Sequence, residues 1–467
     1  MTIIVFFDRI VYFTNSTNST LQILPILLYK FYQFYFTYYT KRYNMYSGRK
    51  MSAEYKRWQA DNTQKALKNR RVVAISGARQ TGKTTITKQI IQEIKTGGTL
   101  RSLDNHALLQ SALADPCEFV KQPSGKSIMV IDEIQKVPAL MSEIKLAVDK
   151  NNRTGQYLIT GSSNIQTMAG ISDSLAGRIK HIRLRPLTTG EILGVKPVFL
   201  QRAFSGKFPV QIKGYNKDAI LNLAIRGGYP EARRLRNSKS RREWHRDYMD
   251  NIVRKDLFDL ENVRRIDSVR DMIKILAAWS GKYMDKNKIT GSLEISRPTF
   301  NIYSNALELL FIFERVMPWI KTDYELAGKR SKIYMTDTGL MASLLNWKTE
   351  DLALDPDRSG KIMETFIFQE LAAQTDLDSD YSLYQYRDAK KHEIDFLIEK
   401  EGEGLTGIEV KAGSRVSGED FNALRWFREN IVRGKMPFRG YVLYSGEDTL
   451  SFNSGMYAVP IAALWTE

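Results

Sequence analysis

Cysteine and histidine are scarce in this chain of 467 residues. A single cysteine, Cys117, excludes an internal disulfide framework and fits a reducing compartment. The four histidines (His106, His181, His245 and His392) are scattered, so no Cys/His set has the spacing of a structural zinc site. The start of the chain lacks a basic segment followed by a small-residue cleavage site, which argues against a secretory signal. The nearest thing to a membrane span is Leu21–Thr40, almost free of charge but broken by Pro25, Lys30 and Gln33 and richer in Tyr and Phe than in aliphatic residues. A run of about twenty residues could cross a bilayer, yet this one matches a spanning helix poorly. Residues 1–50 therefore read as an atypical aromatic leader. A non-native or misassigned start, with Met45 and Met51 just ahead of an ordinary domain, explains it better than a membrane segment does. A cytoplasmic protein without membrane association is expected.

Basic residues exceed acidic ones by 17. That excess favours polyanionic partners, nucleic acid first and an anionic surface second, without any implication of sequence specificity. The length is too great for one ordinary core and implies several domains.

Two motifs carry chemistry in the first half. Gly77-Ala78-Arg79-Gln80-Thr81-Gly82-Lys83-Thr84 fits G-x-x-x-x-G-K-[ST] without a mismatch. It follows the β-branched run Arg71–Ser76 and precedes a segment with Ile86, Ile90, Ile91 and Ile94 at helical spacing, so strand, loop and helix come in the order a phosphate cradle requires. Gly77 to Thr84, with Thr85, are the expected nucleotide contacts. Lys83 would reach the β- and γ-phosphates and the Thr84 hydroxyl would bind Mg²⁺. Further on, Ile128–Ile131 is an apolar strand ending in Asp132 and Glu133. Asp132 would complete the metal shell, and Glu133 would orient or polarise the attacking water. The expected cofactors are ATP and Mg²⁺.

The pattern continues with strands at Thr99–Asp104, Gln156–Ser163 and Ile179–Leu184 and a helix at Ala139–Lys150, which together imply an α/β domain with a parallel sheet. At this point the chain resembles the prokaryotic AAA-type ATPases, in particular a family with a Gly-Ala-Arg-Gln-x-Gly-Lys-Thr loop. The matches extend to Val130–Gln135, Leu158–Ser163, Ser174–Arg178, Gly227–Glu231, Met317–Trp319 and Ser331–Leu340. In such ATPases a polar residue after the fourth strand senses the γ-phosphate; Ser162, Ser163 and Asn164 are the candidates, with Ser163 favoured. An arginine before the fifth strand commonly serves a neighbouring subunit, and Arg178 stands there, which implies a homo-oligomer. The resemblance divides the chain into an ATPase core at 51–190, a helical lid at 191–262 with a basic run from Arg233 to Arg246, a winged-helix-like domain at 263–348 and a small domain at 349–467.

The winged-helix expectation rests on helically spaced Met272, Ile275, Leu276 and Trp279, a break at Gly281, a Ser296 cap before Pro298, a helix Thr299–Leu310 and wing strands at Phe311–Trp319 and Lys332–Met335. In the last domain, Glu393–Ile398 alternates, turns through Gly402 and Gly404, and returns as Gly407–Lys411. Such a hairpin brings Asp395 together with Glu409 and Lys411. The arrangement resembles the PD-(D/E)XK restriction-endonuclease-like fold, with Asp395 and Glu409 in the metal positions, Lys411 beside them and Glu364 on the preceding helix. The expected function is a Mg-dependent, ATP-hydrolysing AAA-type ATPase acting on or near DNA with a nuclease-like C-terminal domain. The alternative is a slow nucleotide-gated switch that binds a protein partner, with a non-catalytic C-terminal domain.

Overall fold

Alternating residues of the first strands face opposite layers, and this sorts the ATPase core. The computed structural model describes residues 54–94, 97–121, 127–162, 175, 177–257, 266–320, 330–453 and 455–467. The aromatic leader, Ser163, Asn164, Ser174 and Ala176 lie outside the described residues. From Tyr55 to Glu467 the chain forms one compact unit. Its first elements are α1 (Trp58–Asn69), β1 (Val72–Ser76), α2 (Lys83–Glu93), β2 (Gly98–Ser102), β3 (Ile128–Asp132), α3 (Ala139–Lys150), β4 (Tyr157–Gly161) and β5 (Ile179–Arg183). The five strands form one parallel sheet in the order β2-β3-β4-β1-β5.

Val73, Ile75, Val130 and Leu158 point to the α1/α2 side and pack with Leu67, Ile86 and Ile90. Val72, Ala74, Met129, Ile131 and Ile159 point the other way, onto Leu140, Ile144 and Val148 of α3. The central strands are buried on both faces, which is why they read as continuous apolar runs. In this core each expected strand, and the expected helix Ala139–Lys150, is found within two residues of its predicted ends.

After β5 come α4 (Thr189–Leu193), α5 (Lys217–Arg226) and α6 (Ser238–Asn251), the last running into a π-helical turn at Ile252–Asp256. Four of the seven arginines and lysines of the basic run on α6 and just before it are solvated: Arg234, Arg236, Lys239 and Arg246 are exposed. Arg233 is turned inward onto the Gly227 carbonyl. Three helices follow, α7 (Ile266–Ala278), α8 (Lys286–Leu293) and α9 (Arg297–Leu309), interleaved with strands β6 (Lys282–Tyr283), β7 (Phe313–Val316) and β8 (Lys332–Met335). These strands form an antiparallel sheet in the order β6-β8-β7. The Ser296 hydroxyl accepts from the Thr299 N–H, the expected cap, with Pro298 in the first turn of α9.

A short helix, α10 (Thr338–Leu344), leads to the 20-residue α11 (Pro356–Thr375) and the strands β9 (Tyr381–Arg387), β10 (Glu393–Lys400), β11 (Gly404–Lys411), β12 (Phe438–Tyr444), β13 (Leu450–Ser451) and β14 (Met456–Pro460). Their order is β13-β14-β12-β11-β10-β9, with β11, β12 and β14 parallel and the β9-β10-β11 meander antiparallel. One face carries Phe396, Ile408 and Leu443 onto Phe368 and Leu371 of α11. The other carries Leu397, Leu405 and Val442 onto Phe421, Leu424 and Phe427. Among the described residues no helix is long and apolar enough to cross a membrane.

Candidate active site

The carboxyl ends of β1, β4 and β3 meet at one point. β1 delivers Gly77, β3 delivers Asp132, and β4 lies between them with Thr160 in register with Ile75. Asp132 is buried, and its two oxygens are divided between the flanking elements. Oδ2 accepts from the Thr84 hydroxyl at 2.8 Å, while Oδ1 accepts from the Thr160 hydroxyl. Thr160 Oγ1 in turn accepts the Glu133 N–H at 3.3 Å. Glu133 sits at φ 60°, a left-handed conformation that costs a residue with a side chain about a kilocalorie or more and is concentrated at functional sites. The turn directs the chain away from the sheet just past Asp132.

The loop itself closes over Lys83. Its ammonium is buried and donates to the carbonyls of Gly77 and Ala78, each at 3.0 Å. Burial lowers its pKa, while the charges of Glu133 and Asp132 oppose that shift. Gly82, at φ 96°, takes a backbone conformation that L side chains rarely adopt and opens α2. Arg79 and Gln80 form the exposed crest, and Arg79 pairs with Asp256 of the π-helical turn. Tyr248 on α6 donates to the Arg79 carbonyl at 3.4 Å. Behind the loop, Arg57 is buried and donates to the carbonyls of Thr81 and Arg185, both at 2.6 Å, and to Glu191 at 3.0 Å.

These residues fit a magnesium nucleotide. A hydroxyl and a carboxylate that already share a proton at 2.8 Å are the oxygen donors such an ion takes, and Lys83 donates only to loop carbonyls. Thr84 and Asp132 would hold the ion, which screens phosphate charge when bound. Of the sensor candidates, Ser163 and Asn164 lie outside the described residues. Ser162 is buried and accepts from Gln135 Nε2 at 3.0 Å; the same amide donates to Glu133. Arg178 directly precedes β5, its carbonyl accepting the Val72 N–H, and its side chain pairs with Asp149 at 2.6 Å. It therefore lies at the amino ends of the strands, roughly 13 Å of strand away from its own phosphate loop.

The second expected cluster is assembled differently from its sequence pattern. Asp395 and Glu409 lie on paired strands, and the Val410 N–H donates to Asp395 at 3.1 Å. Glu364 of α11 joins them through an ammonium that the pattern did not contain. Lys332 of β8 reaches Glu393 at 2.7 Å, Asp395 at 3.0 Å and Glu364 at 3.1 Å. Tyr334, two residues on and on the same face, donates to Glu364 at 2.7 Å. Lys411 instead pairs with Asp420 at 2.8 Å and is 45% exposed. Burial and the Asp395 charge push the Glu364 carboxyl up to about 7, and the same two causes raise Glu409 well above the ordinary carboxylate value. The carboxylates do not fit a divalent ion in this arrangement, because an ammonium stands among them. Among the described residues no group of three or more His, Cys, Asp and Glu side chains is placed to hold a metal.

Sequence reasoning missed Thr160, Gln135, Arg57 and Lys332. The first two sit inside motifs it quoted, Leu158–Ser163 and Val130–Gln135, so a signal was present though no role was drawn from it. Lys332 also lies in a quoted stretch, Ser331–Leu340. Arg57 had no signal beyond its place just before the first helix.

The comparisons with known proteins agree with the first site. An AAA domain profile matches residues 69–193, and two domains of unknown function match 217–351 and 359–464. An uncharacterized protein of Mycobacterium tuberculosis is 26% identical over 408 residues, covering 87% of this chain and 84% of the relative. One from Methanocaldococcus jannaschii is 26% identical over 351 residues, 72% and 74% of the two chains. Among solved structures, the Walker-type ATPase of Pyrococcus abyssi gives a TM-score of 0.40 at 15% identity, covering 62% of this chain and 94% of that one. The Saccharomyces cerevisiae Hsp104–ADP complex gives 0.26 at 14%, covering 69% and 44%. Both scores are below the level at which a shared fold can be argued. The chain carries an AAA-type P-loop ATPase domain followed by two domains of unknown function.

Proposed function

We propose that the protein is a Mg-dependent ATP hydrolase whose nucleotide state is transmitted to its C-terminal domains. The observation that carries this reading is the Thr84–Asp132 contact at 2.8 Å, with Lys83 and Glu133 adjoining it on the same loop and strand end. Gly77 to Thr85 bind the phosphates, Lys83 takes the β- and γ-phosphate charge, and Thr84 and Asp132 hold the ion. Glu133 positions the attacking water, with Gln135 orienting its carboxylate; Ser163 senses the γ-phosphate. Arg178, remote from its own loop, completes the site of a neighbouring copy.

ATP turnover of the full chain tests this. Lys83→Ala is expected to lose nucleotide binding, and Glu133→Gln to bind ATP yet turn it over about 10²-fold or more slowly. Unchanged affinity in the first variant, or full turnover in the second, refutes the assignment.

For the C-terminal half, the net charge of +17, the three-helix, three-strand arrangement around β6-β8-β7 and the exposed Arg297 at the start of α9 support a winged helix that works on or near DNA. The α11 helix and the β9–β12 strands support a restriction-endonuclease-like fold for the last domain, with Asp395, Glu409, Lys411 and Glu364 as its site. One observation favours the other reading, a nucleotide-gated switch that presents a non-catalytic platform to a protein partner: the ammonium of Lys332 stands among the carboxylates a nuclease would use.

A further inference from the structure

The basic run of the lid lacks counter-ions where it turns inward. Elsewhere the buried and half-buried arginines are matched by acids: Arg57 by Glu191, Arg183 by Glu314, and Arg185 by Glu314 and Asp376. Arg226 ends α5, Arg233 lies in the short helix Pro230–Arg234, and Arg241 and Arg242 belong to α6. None of these four pairs with a carboxylate among the described residues. The side chains of Arg226 and Arg242 make no hydrogen bond among those residues either, although the Arg226 Nε is buried. Arg233 donates only to the Gly227 carbonyl at 3.3 Å, and Arg241 to the carbonyls of Leu235 and Arg236 at 2.9 and 3.0 Å. All four are half-buried, so water screens them incompletely. Burial pushes Arg233 down to about 10, and the charges of Arg226 and Arg241 act in the same direction. The acids whose charges reach Arg233 are engaged by backbone: Asp337 accepts the N–H groups of Gly228 and Leu340, and Glu370 accepts that of Thr189. Guanidiniums gathered without an anion repel one another, and each presents a planar fork that matches a pair of phosphate oxygens.

We propose that this patch on the lid grips the phosphate backbone of DNA, with Arg226, Arg233, Arg241 and Arg242 contacting phosphates and Lys239 and Arg246 continuing the track along α6. Lys239, Arg242 and Arg246 are three and four residues apart, so they share one face of the helix. Lys239 and Arg246 on that face are exposed, and Arg246 is steadied by the Asn346 side chain at 3.0 Å. His245 and Tyr248 are buried on the other side of α6 and fix how the basic face is presented. From Lys239 to Arg246 the helix advances about 10 Å, more than one phosphate group covers and suited to a backbone that repeats them. Contacts of this kind position DNA without reading its sequence, in keeping with an excess of 17 basic residues spread over the chain. The site rests on the reading that the protein works on or near DNA, and it adds the lid to Arg297 of α9 as a point of contact.

Fluorescence anisotropy of a short labelled duplex of arbitrary sequence, titrated with the full chain between about 50 and 200 mM KCl, decides it. Wild type is expected to bind with an affinity that falls steeply with salt. Arg226→Gln/Arg242→Gln is expected to bind about tenfold or more weakly on every sequence, and to reduce the slope of log affinity against log salt by about 2. Its ATP turnover without DNA is expected to match wild type. Lys239→Gln/Arg246→Gln, altered only at exposed positions, is expected to lose a similar amount of slope, and it carries the test should the first variant fail to fold. A wild-type chain that binds no duplex overturns both the DNA reading and this site. Duplex binding that both double variants retain with unchanged slope, while Arg297→Gln weakens it, overturns the lid site alone. Weakened ATP affinity in Arg226→Gln/Arg242→Gln with DNA binding intact assigns the arginines to the nucleotide and likewise overturns the proposal.

Discussion

Glu370→Gln is expected to leave the protein about as stable as wild type in mild acid and to make it more stable in mild alkali. Glu370 lies on α11, 1% exposed; one carboxyl oxygen accepts the Thr189 N–H at 2.6 Å and the other is buried without a partner. Burial pushes its carboxyl from the ordinary 4.5 up to about 7, overcoming the opposing hydrogen bonds from Thr189. A raised carboxyl pKa means that the folded state binds the proton more tightly than the unfolded state. Stability is therefore greatest below the unfolded value and falls as pH rises toward 7, where the folded group finally ionises. The interval between 4.5 and about 7, at about 1.4 kcal/mol per pH unit, gives a full penalty of about 3–4 kcal/mol. Part of it is already present at pH 5, where an unfolded carboxyl is partly ionised, so about 2–3 kcal/mol falls between pH 5 and pH 8.5.

Glutamine keeps the oxygen that accepts from Thr189 and cannot ionise, so it escapes the penalty. Its amide group introduces donors beside the unpartnered oxygen position, a pH-independent cost of about 1 kcal/mol. Urea unfolding at both pH values, monitored by tryptophan fluorescence, gives the difference between variant and wild type. All other titrating groups are common to both proteins and cancel. The expected change in that difference is about 2–3 kcal/mol in favour of the variant on going from pH 5 to pH 8.5. A difference that stays constant with pH shows that Glu370 does not hold its proton in the folded state and refutes the reasoning.

Three further substitutions bear on backbone packing and on the link between copies. A Cβ at Gly228 would lie 2.2 Å from the Leu187 carbonyl oxygen, backbone that cannot swing away, whereas one at Gly360 on α11 meets nothing within 4 Å. Gly228→Ala should therefore destabilise by more than about 2 kcal/mol and Gly360→Ala should stabilise by about 0.5–1 kcal/mol, read as opposite shifts in melting temperature; shifts of the same sign defeat the argument. Arg178→Ala should lower ATP turnover about 10²-fold with ATP affinity spared, and mixing it with Lys83→Ala protein should restore part of the rate; an unchanged rate removes Arg178 from the reaction.

The glycine loop and the strand end beside it were legible because the chemistry proposed for them imposes contiguous patterns. A polyphosphate needs a run of backbone N–H groups, so Gly77 to Thr84 stand together, and a parallel strand buried on both faces must be apolar until it delivers Asp132. Thr160 escaped notice as a participant because its link to Asp132 crosses between neighbouring strands 28 positions apart, a relation no local pattern records. β6 is two residues long, below what periodicity can detect, yet it pairs with β8 and so makes β8 the middle strand. In the C-terminal domain the alternation of β10 and β11 was read correctly as a hairpin carrying Asp395 and Glu409. What the alternation could not reveal was competition. Lys411 had Asp420 within reach, and the cluster had Lys332 from a strand 63 residues earlier than Asp395. Charge pairing of that kind is settled by tertiary distance alone.

The same logic explains how a phosphate loop can influence domains far along the chain. Arg57 holds the Thr81 carbonyl with one nitrogen and the Arg185 carbonyl with another. The Arg185 guanidinium then grips Glu314 of β7 and, at 2.6 Å, Asp376 just after α11, with Arg183 sharing Glu314. On the opposite side of the loop, Arg79 is tied to Asp256, and the Tyr248–Tyr229 pair leads to Gly228, whose N–H donates to Asp337 at 2.6 Å. Asp337 stands five residues beyond Lys332 on the same motif. Half-buried ion pairs and hydrogen bonds of this sort are made or broken rather than stretched, because an intermediate geometry leaves charge without solvent or partner. A loop that rearranges around a nucleotide therefore cannot move Thr81 or Arg79 by a small amount without surrendering one of these contacts. A rearrangement of the loop around a nucleotide would therefore act against contacts that reach β7, the start of α10 and the end of α11.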